Sequence, residues 1–322
     1  MKLLFLRGQV PKDRDPKQIM FDSISVCDDY WTQLAYKLNE DYGEILYWGG
    51  NRKVKYSSNF IERWVPDFNS HKIKFTPDVI FARGGFKEYD TILKRYPNAI
   101  KIYYGAGKRF QPLTSSEHYH IILNDSPKQL EETKNKFQSS KVSLWIKSAA
   151  ENVFYPRDHN KEYDVIMVAN EHPKGIKGHK FLLPILNKYK SIQVGISSKE
   201  NKSKYSNIKF TDWIARKDIP DLYAKSKVSV IGVDTIDSCP RIIPEALACN
   251  CPILILDNVN FWAEKYINKL SGKLSSQKDF ESNLKSMIDN YSKYNPKVYY
   301  DNNLSLQKSA DHIKSLIRGY KK

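Results

Sequence analysis

Residues 226–257 read SKVSVIGVDTIDSCPRIIPEALACNCPILILD, and this stretch decides the fold. Val228, Val230, Ile231 and Val233 form a short β-branched apolar run, the pattern of a strand buried on both faces of a parallel sheet. The run stops at the acidic turn Asp234-Thr235-Ile236-Asp237-Ser238. Pro240 then opens a helix, where its missing N–H costs nothing, and Pro244 still falls in the first turns. Asn250 ends the helix, and Cys251-Pro252 leads into a second apolar run, Ile253 to Leu256. A helix N-terminus at the end of a buried parallel strand suits an anion, because free N–H groups and the helix dipole both favour negative charge. Glu245, one turn in, is a carboxylate that can accept hydrogen bonds from a sugar diol.

The run from Asp237 to Pro252 resembles the donor-site motif of retaining GT-B glycosyltransferases, above all the GT4-like group. That motif has an acid, seven intervening residues, then Glu-Ala-x-Ala-x-Gly-x-Pro. Asp237 and Glu245 hold the two acidic positions. The sequence departs twice: Asp237 stands where Glu is usual, and Asn250 where Gly is usual. Asn tolerates the left-handed region, so the turn is expected to survive. The resemblance implies an α/β chain of the GT-B type. It further implies two Rossmann-like domains whose parallel sheets would face a central cleft, with a C-terminal helix expected to cross back to the N-domain.

At 322 residues the chain suits two domains of ordinary size. It is 41% hydrophobic and 13% aromatic, which describes a globular chain and excludes a disordered one. No apolar run reaches 18 residues, so no membrane span is expected. The start, Met1 to Arg7, is too short and too soon interrupted for a signal peptide and reads as a first strand. Cys27, Cys239, Cys249 and Cys251 have no framework spacing and read as reduced thiols of a cytoplasmic protein. The net charge of +16 is spread over both halves and predicts attraction to polyanions or anionic membranes.

In the first half, Leu3–Leu6, Glu44–Trp48, Asp78–Ala82, Ile100–Tyr104 and Ile121–Leu123 read as strands. Asp28–Asn39, Glu88–Arg95 and Lys128–Lys136 read as helices between them, which predicts a parallel sheet. Ligands in such sheets bind at the carboxyl ends of the strands, so the segments leaving those ends matter most. They run from Arg7 to Asp15, Gly49 to Tyr56, Arg83 to Phe86 and Gly105 to Phe110. All are rich in Gly, Arg or Lys, with aromatics interleaved. They predict a basic, aromatic cleft for an anionic acceptor, with Lys12, Arg14, Arg52, Lys53, Arg83, Lys108 and Arg109 as its cations. Asp13-x-Asp15 reads as a solvated loop, and His118-x-His120 as strand-edge residues. The resemblance puts Gly8, after the first strand, near the donor phosphate. Family members often carry a His in an N-domain loop; the comparable place here is Tyr103-Tyr104-Gly105.

Val142 to Pro156 resembles the family's interdomain segment, so the sequence divides at 1–156, 157–300 and a terminal helix at 301–322. In the second half, Tyr163–Ala169, Ser191–Gly195 and Ile208–Phe210 read as strands. The loop after the first of these, Asn170 to Lys180, resembles one that brings an Arg and a Lys to the donor diphosphate. Lys177-Gly178 match the Lys-Gly, and Asn170 stands where Arg is expected. Lys174 or Arg241 would supply the missing charge. Cations are needed there because the leaving group is a nucleoside diphosphate. In the family the segment after the third strand holds the nucleotide base, a role for Trp213 or Ile214 here. Ser238, Arg241 and Ile242 complete the donor set at the helix start.

The resemblance implies a metal-independent transfer of sugar from a UDP- or GDP-sugar, with retention, and with no cofactor beyond that co-substrate. Glu245 would accept the ribose hydroxyls and Asp237 would face the sugar. The acceptor is read as polyanionic. A hydroxymethylated base in DNA, exposed by flipping, is placed ahead of an envelope glycan or lipid-linked sugar at the inner membrane surface. The basic loops carry aromatics that would replace lost base stacking. A non-catalytic GT-B-like binding protein is the alternative that the departures at Asp237, Asn170 and Asn250 would accompany.

Overall fold

A computed structural model of the chain describes residues 1–9, 27, 29–49, 52–68, 71–84, 86–105, 119–145, 147–172, 175–232, 240–257 and 263–321. The chain divides into two compact units: Met1–Trp145 with Leu306–Lys322, and Ile146–Ser305. Residues 146–156, grouped by the sequence with the first half, therefore cluster with the second unit.

In unit 1 the elements are β1 (Leu3–Gln9), α1 (Tyr30–Leu38), β2 (Gly43–Trp48), β3 (Arg52–Ser57), β4 (Phe60–Val65), β5 (Val79–Arg83), α2 (Tyr89–Arg95), β6 (Ile100–Tyr104), β7 (Ile121–Asn124), α3 (Pro127–Lys136) and β8 (Lys141–Leu144). The strands form one sheet in the order β3-β4-β2-β1-β5-β6-β7-β8. Every pairing is parallel except that of β3 with β4. That hairpin corrects the sequence reading, which made residues 49–56 a loop. Val54 and Tyr56 alternate with exposed Lys53 and Lys55, and a turn at Ser58-Asn59 joins them to the apolar β4.

Both sheet faces are covered, as parallel strands require. Leu4, Leu6, Ile80, Ala82, Tyr103 and Ile122 share one core with Ile92 and Leu93 of α2. On the other face Phe5 stacks on Phe81 with centroids 4.6 Å apart, beneath Trp31 of α1 and Trp145. Asp29 caps α1, its carboxylate accepting from the Thr32 N–H at 2.9 Å.

Unit 2 comprises β9 (Tyr163–Val168), α4 (His179–Leu186), β10 (Ser191–Val194), α5 (Lys199–Lys204), β11 (Ile208–Thr211), α6 (Ile219–Ala224), β12 (Ser226–Ile231), α7 (Ile242–Ala248), β13 (Ile253–Leu256), β14 (Gly272–Ser275), α8 (Phe280–Asp289) and α9 (Pro296–Asn303). Its sheet has the order β11-β10-β9-β12-β13-β14, all parallel. Counted within the unit this is 3-2-1-4-5-6, the doubly wound dinucleotide-fold order. The strand direction of travel reverses between β9 and β12, and ligands bind outside the carboxyl ends at such a point.

The helix opened by Pro240 in the sequence reading begins two residues later, at Ile242, with Pro244 inside its first turn. Asn250 takes the left-handed conformation, φ 58°, and the turn is kept. The terminal helix read over residues 301–322 falls in two helices. It breaks at Leu304–Ser305, and α10 (Leu306–Lys321) packs with unit 1. Ala310, Ile313 and Ile317 of α10 are buried at helical spacing, and the Tyr30 hydroxyl of α1 lies 3.3 Å from that of Ser309.

Candidate functional site

The two sides of the β9/β12 reversal converge on glycines. After β9 the chain turns through Gly175 and Gly178, with φ 69° and 73°. The Gly178 N–H donates to the Gly175 carbonyl at 3.0 Å, and its own carbonyl accepts from Leu182 at 2.9 Å, so Gly178 caps α4. A Cβ on Gly178 would lie 2.4 Å from the carbonyl oxygen of Gly232, just past β12. Only glycine lets the head of α4 sit against that strand end. The fold therefore brings Lys177 and Gly178 to the switch point. Lys174 lies outside the described residues, as do Asp237 and Ser238.

Asn170, at the position where the motif has Arg, holds its own loop. Its Oδ1 accepts from the Ile196 N–H at 2.9 Å. Glu171 does similar work one residue on. Its carboxylate accepts from the Ser198 N–H at 2.6 Å and from Asn201 Nδ2 at 2.8 Å. Burial works to raise its pKa, but these hydrogen bonds, with His179 nearby, take it below the ordinary carboxylate value. His179 begins α4 and is 3% exposed. Burial lowers its pKa first, and Lys177 adds to this. Glu171 and the Ala169 carbonyl oppose it.

Across the switch point, Arg241 and Ile242 start α7, and the Tyr223 hydroxyl donates to the Ile242 carbonyl at 3.3 Å. Glu245 is 6% exposed. Arg216 Nη2 reaches its Oε1 at 2.6 Å, and the same guanidinium lies over the Phe154 ring, 5.2 Å from its centroid. The sequence reading missed Arg216. No local signal marks it, because its partner comes 29 residues later on another element. Trp213 is 72% exposed beyond β11, and Ile214 is half-buried. Ile196, at the end of the neighbouring β10, is 57% exposed, so two large apolar side chains stand in water at adjacent strand ends. Cys249 and Cys251 are buried thiols. Burial raises both, Cys251 to about 12, which removes them from thiolate chemistry at neutral pH.

Unit 1 has its own reversal between β1 and β5, and strand register builds a row across the carboxyl ends. Arg52 pairs with Trp64, Trp64 with Tyr47, Tyr47 with Arg7, Arg7 with Arg83, and Arg83 with Tyr104. The Arg7 guanidinium pairs with Asp29 and lies 4.6 Å from the Tyr47 centroid, and that of Arg83 lies 4.9 Å from a Trp31 ring. The Tyr104 hydroxyl donates to the buried Asp125 carboxylate at 2.8 Å. Sequence reasoning expected aromatics here as stacking surfaces. Of the aromatics in those loops, Tyr56 is buried on β3, Phe86 is exposed and Phe110 lies outside the described residues; at the strand ends Tyr47, Trp64 and Tyr104 are buried, and Tyr47 and Trp31 lie against Arg7 and Arg83. The partly exposed ring at this edge is Phe86, which lies on Gly8. A Cβ on Gly8 would come within 2.3 Å of it. Lys53 is exposed on the edge strand β3. Lys12, Arg14, Lys108, Arg109 and His118 lie outside the described residues.

No family model and no curated protein sequence matches the chain. Solved structures do. Sucrose-phosphate synthase from Thermosynechococcus elongatus is similar over 99% of this chain and 98% of that one, with TM-score 0.71 and 11% identity. Anabaena HepE in complex with UDP matches over 99% and 100%, with TM-score 0.68 and 12% identity. The apo form of WaaB, a lipopolysaccharide outer core galactosyltransferase, matches over 99% and 99%, with TM-score 0.65 and 12% identity. Likeness of this extent at such low identity is likeness of fold, and the fold of this chain is that of the GT-B glycosyltransferases.

Proposed function

We propose that the chain is a glycosyltransferase that takes a sugar from a nucleotide-sugar donor held by unit 2. The observation that carries this reading is the switch point, where β9 delivers Lys177-Gly178 and β12 leads to Glu245 on α7. HepE, whose fold is similar, has been solved with UDP and with UDP-glucose, so a UDP-sugar is the first donor to test. A GDP-sugar is the second.

In this mechanism the diphosphate lies at the head of α4. Lys177 and the α4 N–H groups meet the negative charge that grows on the leaving group, and Arg241 and Lys174 are assigned as further cations for it. Glu245 accepts from the ribose hydroxyls, and Trp213 or Ile214 borders the base. Asp237 and Ser238 are the residues assigned to the transferred sugar. Transfer proceeds with retention and without a metal. The departing phosphate oxygen takes the acceptor proton, so no side-chain base is assigned.

The acceptor is a polyanion bearing a hydroxyl, with a hydroxymethylated base in DNA as the leading member. What supports this is the net charge of +16, with half-buried Arg83 and exposed Lys53 at the unit 1 edge. Phe86, partly exposed at that edge, is a ring for an unstacked base. The second reading is an envelope glycan, favoured by the likeness to a lipopolysaccharide galactosyltransferase.

The test offers labelled UDP-glucose with hydroxymethylated duplex DNA in one arm and lipid-linked saccharides in the other, each with and without chelator. Label on the DNA, kept in chelator and lost with Lys177→Ala and Glu245→Ala, is the expected result. Label on the saccharide alone replaces the acceptor reading. Activity that survives both substitutions overturns the donor site.

A further inference from the structure

Glu245 has a partner that its sequence motif does not contain. A carboxylate this far from water needs a counter-charge, and Arg216 Nη2 provides one at 2.6 Å. The arginine is held from both sides. Its guanidinium lies over Phe154, which is buried, and its backbone starts the short 3-10 turn Arg216–Asp218 that feeds α6. That turn is closed by Asp218 N–H to the Ala215 carbonyl at 2.9 Å. The first turn of α7 is tied to α6 in turn by Tyr223. Three segments far apart in sequence thus set one carboxylate. Among the described residues the carboxylate's side-chain hydrogen bond is to Oε1, and a carboxylate has further lone pairs to offer hydroxyl donors.

We propose that Arg216 is a positioning residue for the ribose of the donor: it neutralises Glu245 and fixes the plane in which that carboxylate accepts from the sugar hydroxyls. The inference rests on the reading of unit 2 as a nucleotide-sugar site. It assigns to this chain a ribose clamp of two residues, an acid on α7 and a base before α6. Swinging the carboxylate by one rotamer would carry its oxygens away from a diol, so the cost of losing Arg216 falls on the ribose contact and not on the diphosphate.

The test is calorimetric titration of the full chain with UDP and with 2′-deoxy-UDP, or with GDP and 2′-deoxy-GDP where wild type binds GDP and not UDP, using wild type, Arg216→Gln, Arg216→Lys, Glu245→Gln and the double variant Arg216→Gln/Glu245→Gln. Arg216→Gln is expected to weaken UDP about tenfold or more, the effect of losing a charge-assisted hydrogen bond. It should weaken 2′-deoxy-UDP much less. The double variant should bind no worse than Glu245→Gln alone. Arg216→Lys, which keeps the charge without the planar fork, should recover part of the affinity and is the variant to rely on if Arg216→Gln does not fold. Equal weakening of both nucleotides, or additive losses in the double variant, overturns the proposal. Tighter binding by Arg216→Gln also overturns it, because the pair would then be a plug. If wild type binds neither UDP nor GDP, the donor reading itself falls and the clamp with it, a result distinct from the others because it appears before any substitution.

Discussion

Gly178 and Gly232 touch backbone to backbone, so closely that a methyl group on Gly178 would sit 2.4 Å from the Gly232 carbonyl oxygen. Each glycine ends one side of the β9/β12 reversal. Their contact sets how near the head of α4 comes to the strand that leads to α7.

Gly178→Ala should therefore be damaging beyond its backbone strain. A left-handed φ alone costs a non-glycine residue about 1–2 kcal/mol, and here the Cβ also meets a backbone oxygen that has nowhere to go. Gly175→Ala is the matched control, because Gly175 shares the conformation, φ 69°, with nothing within 4 Å of its Cβ position. Urea unfolding should show the larger loss for Gly178→Ala. UDP titration should show weakened binding for that variant and near-normal binding for Gly175→Ala.

Asn250 gives a second backbone test. It is the non-glycine residue with positive φ among the described residues, at 58°, and its Oδ1 accepts from the Lys297 N–H at 3.0 Å. Asn250→Ala loses both conformational tolerance and the link to α9, and should destabilise the chain by about 1–2 kcal/mol. Asn250→Gly restores the residue usual in the motif but not the link. It should fall between wild type and Asn250→Ala in a denaturant series.

Acid should weaken the fold through three imidazoles, His179 buried, His120 half-buried and His312 on the outer side of α10. His120, His179 and His312 all have pKa values below 6.5, and burial is the first cause for each. Lys101 adds to it at His120, while the Leu144 backbone opposes it at His312. The unfolded chain takes up these protons as pH falls below 6.5, and the folded chain resists. Their contribution is thus complete above that pH and lost progressively beneath it. Two of them hold α10 to unit 1. The His120 ring stacks on Tyr320 with centroids 4.9 Å apart, and His312 Nε2 lies 3.2 Å from the Ser143 hydroxyl. Melting scans at pH 7.5 and 5.5 should show a drop that His312→Asn reduces. An unchanged drop in that variant removes His312 from the account.

Lys53 and Lys55 test the acceptor reading. They are exposed on β3 while Val54 and Tyr56 between them are buried, so replacing both with alanine leaves the packed face intact. Lysines on an edge strand also discourage edge-to-edge pairing, which is their simplest role. If they touch DNA phosphates, the double variant should lower the slope of log affinity against log salt by about 2, one for each contact. An unchanged slope leaves them as edge protection alone.

In the unit 2 sheet β12 and β13 were the most legible strands, because Val228, Val230 and Ile231 and the unbroken run Ile253 to Leu256 are the apolar pattern of strands buried on both faces. Val228 to Ile231 and Ile253 to Leu256 lie where the pattern put them. The β3–β4 hairpin was passed over because Arg52, Lys53 and Lys55 made it look like a basic loop. The period-two signal of Val54, Tyr56, Phe60 and Ile61 was present but short. Asn250 was read correctly from one fact, that asparagine tolerates a left-handed turn.

Local pattern determined the strand–helix alternation and the turn at Asn250, and resemblance to a family motif singled out Lys177-Gly178 and Glu245, because each of these rests on residues close in the chain. Only the tertiary structure decided that Arg7 and Arg83 are neighbours in one row and that buried aromatics carry them. It also decided that Asn170 ties its own loop and that Arg216 holds Glu245. Those relationships join residues on different elements, and side-chain charge and packing across a sheet or between helices leave no periodic trace in the sequence. The opening stretch, residues 226–257, names the carboxylate; the fold supplies its counter-charge.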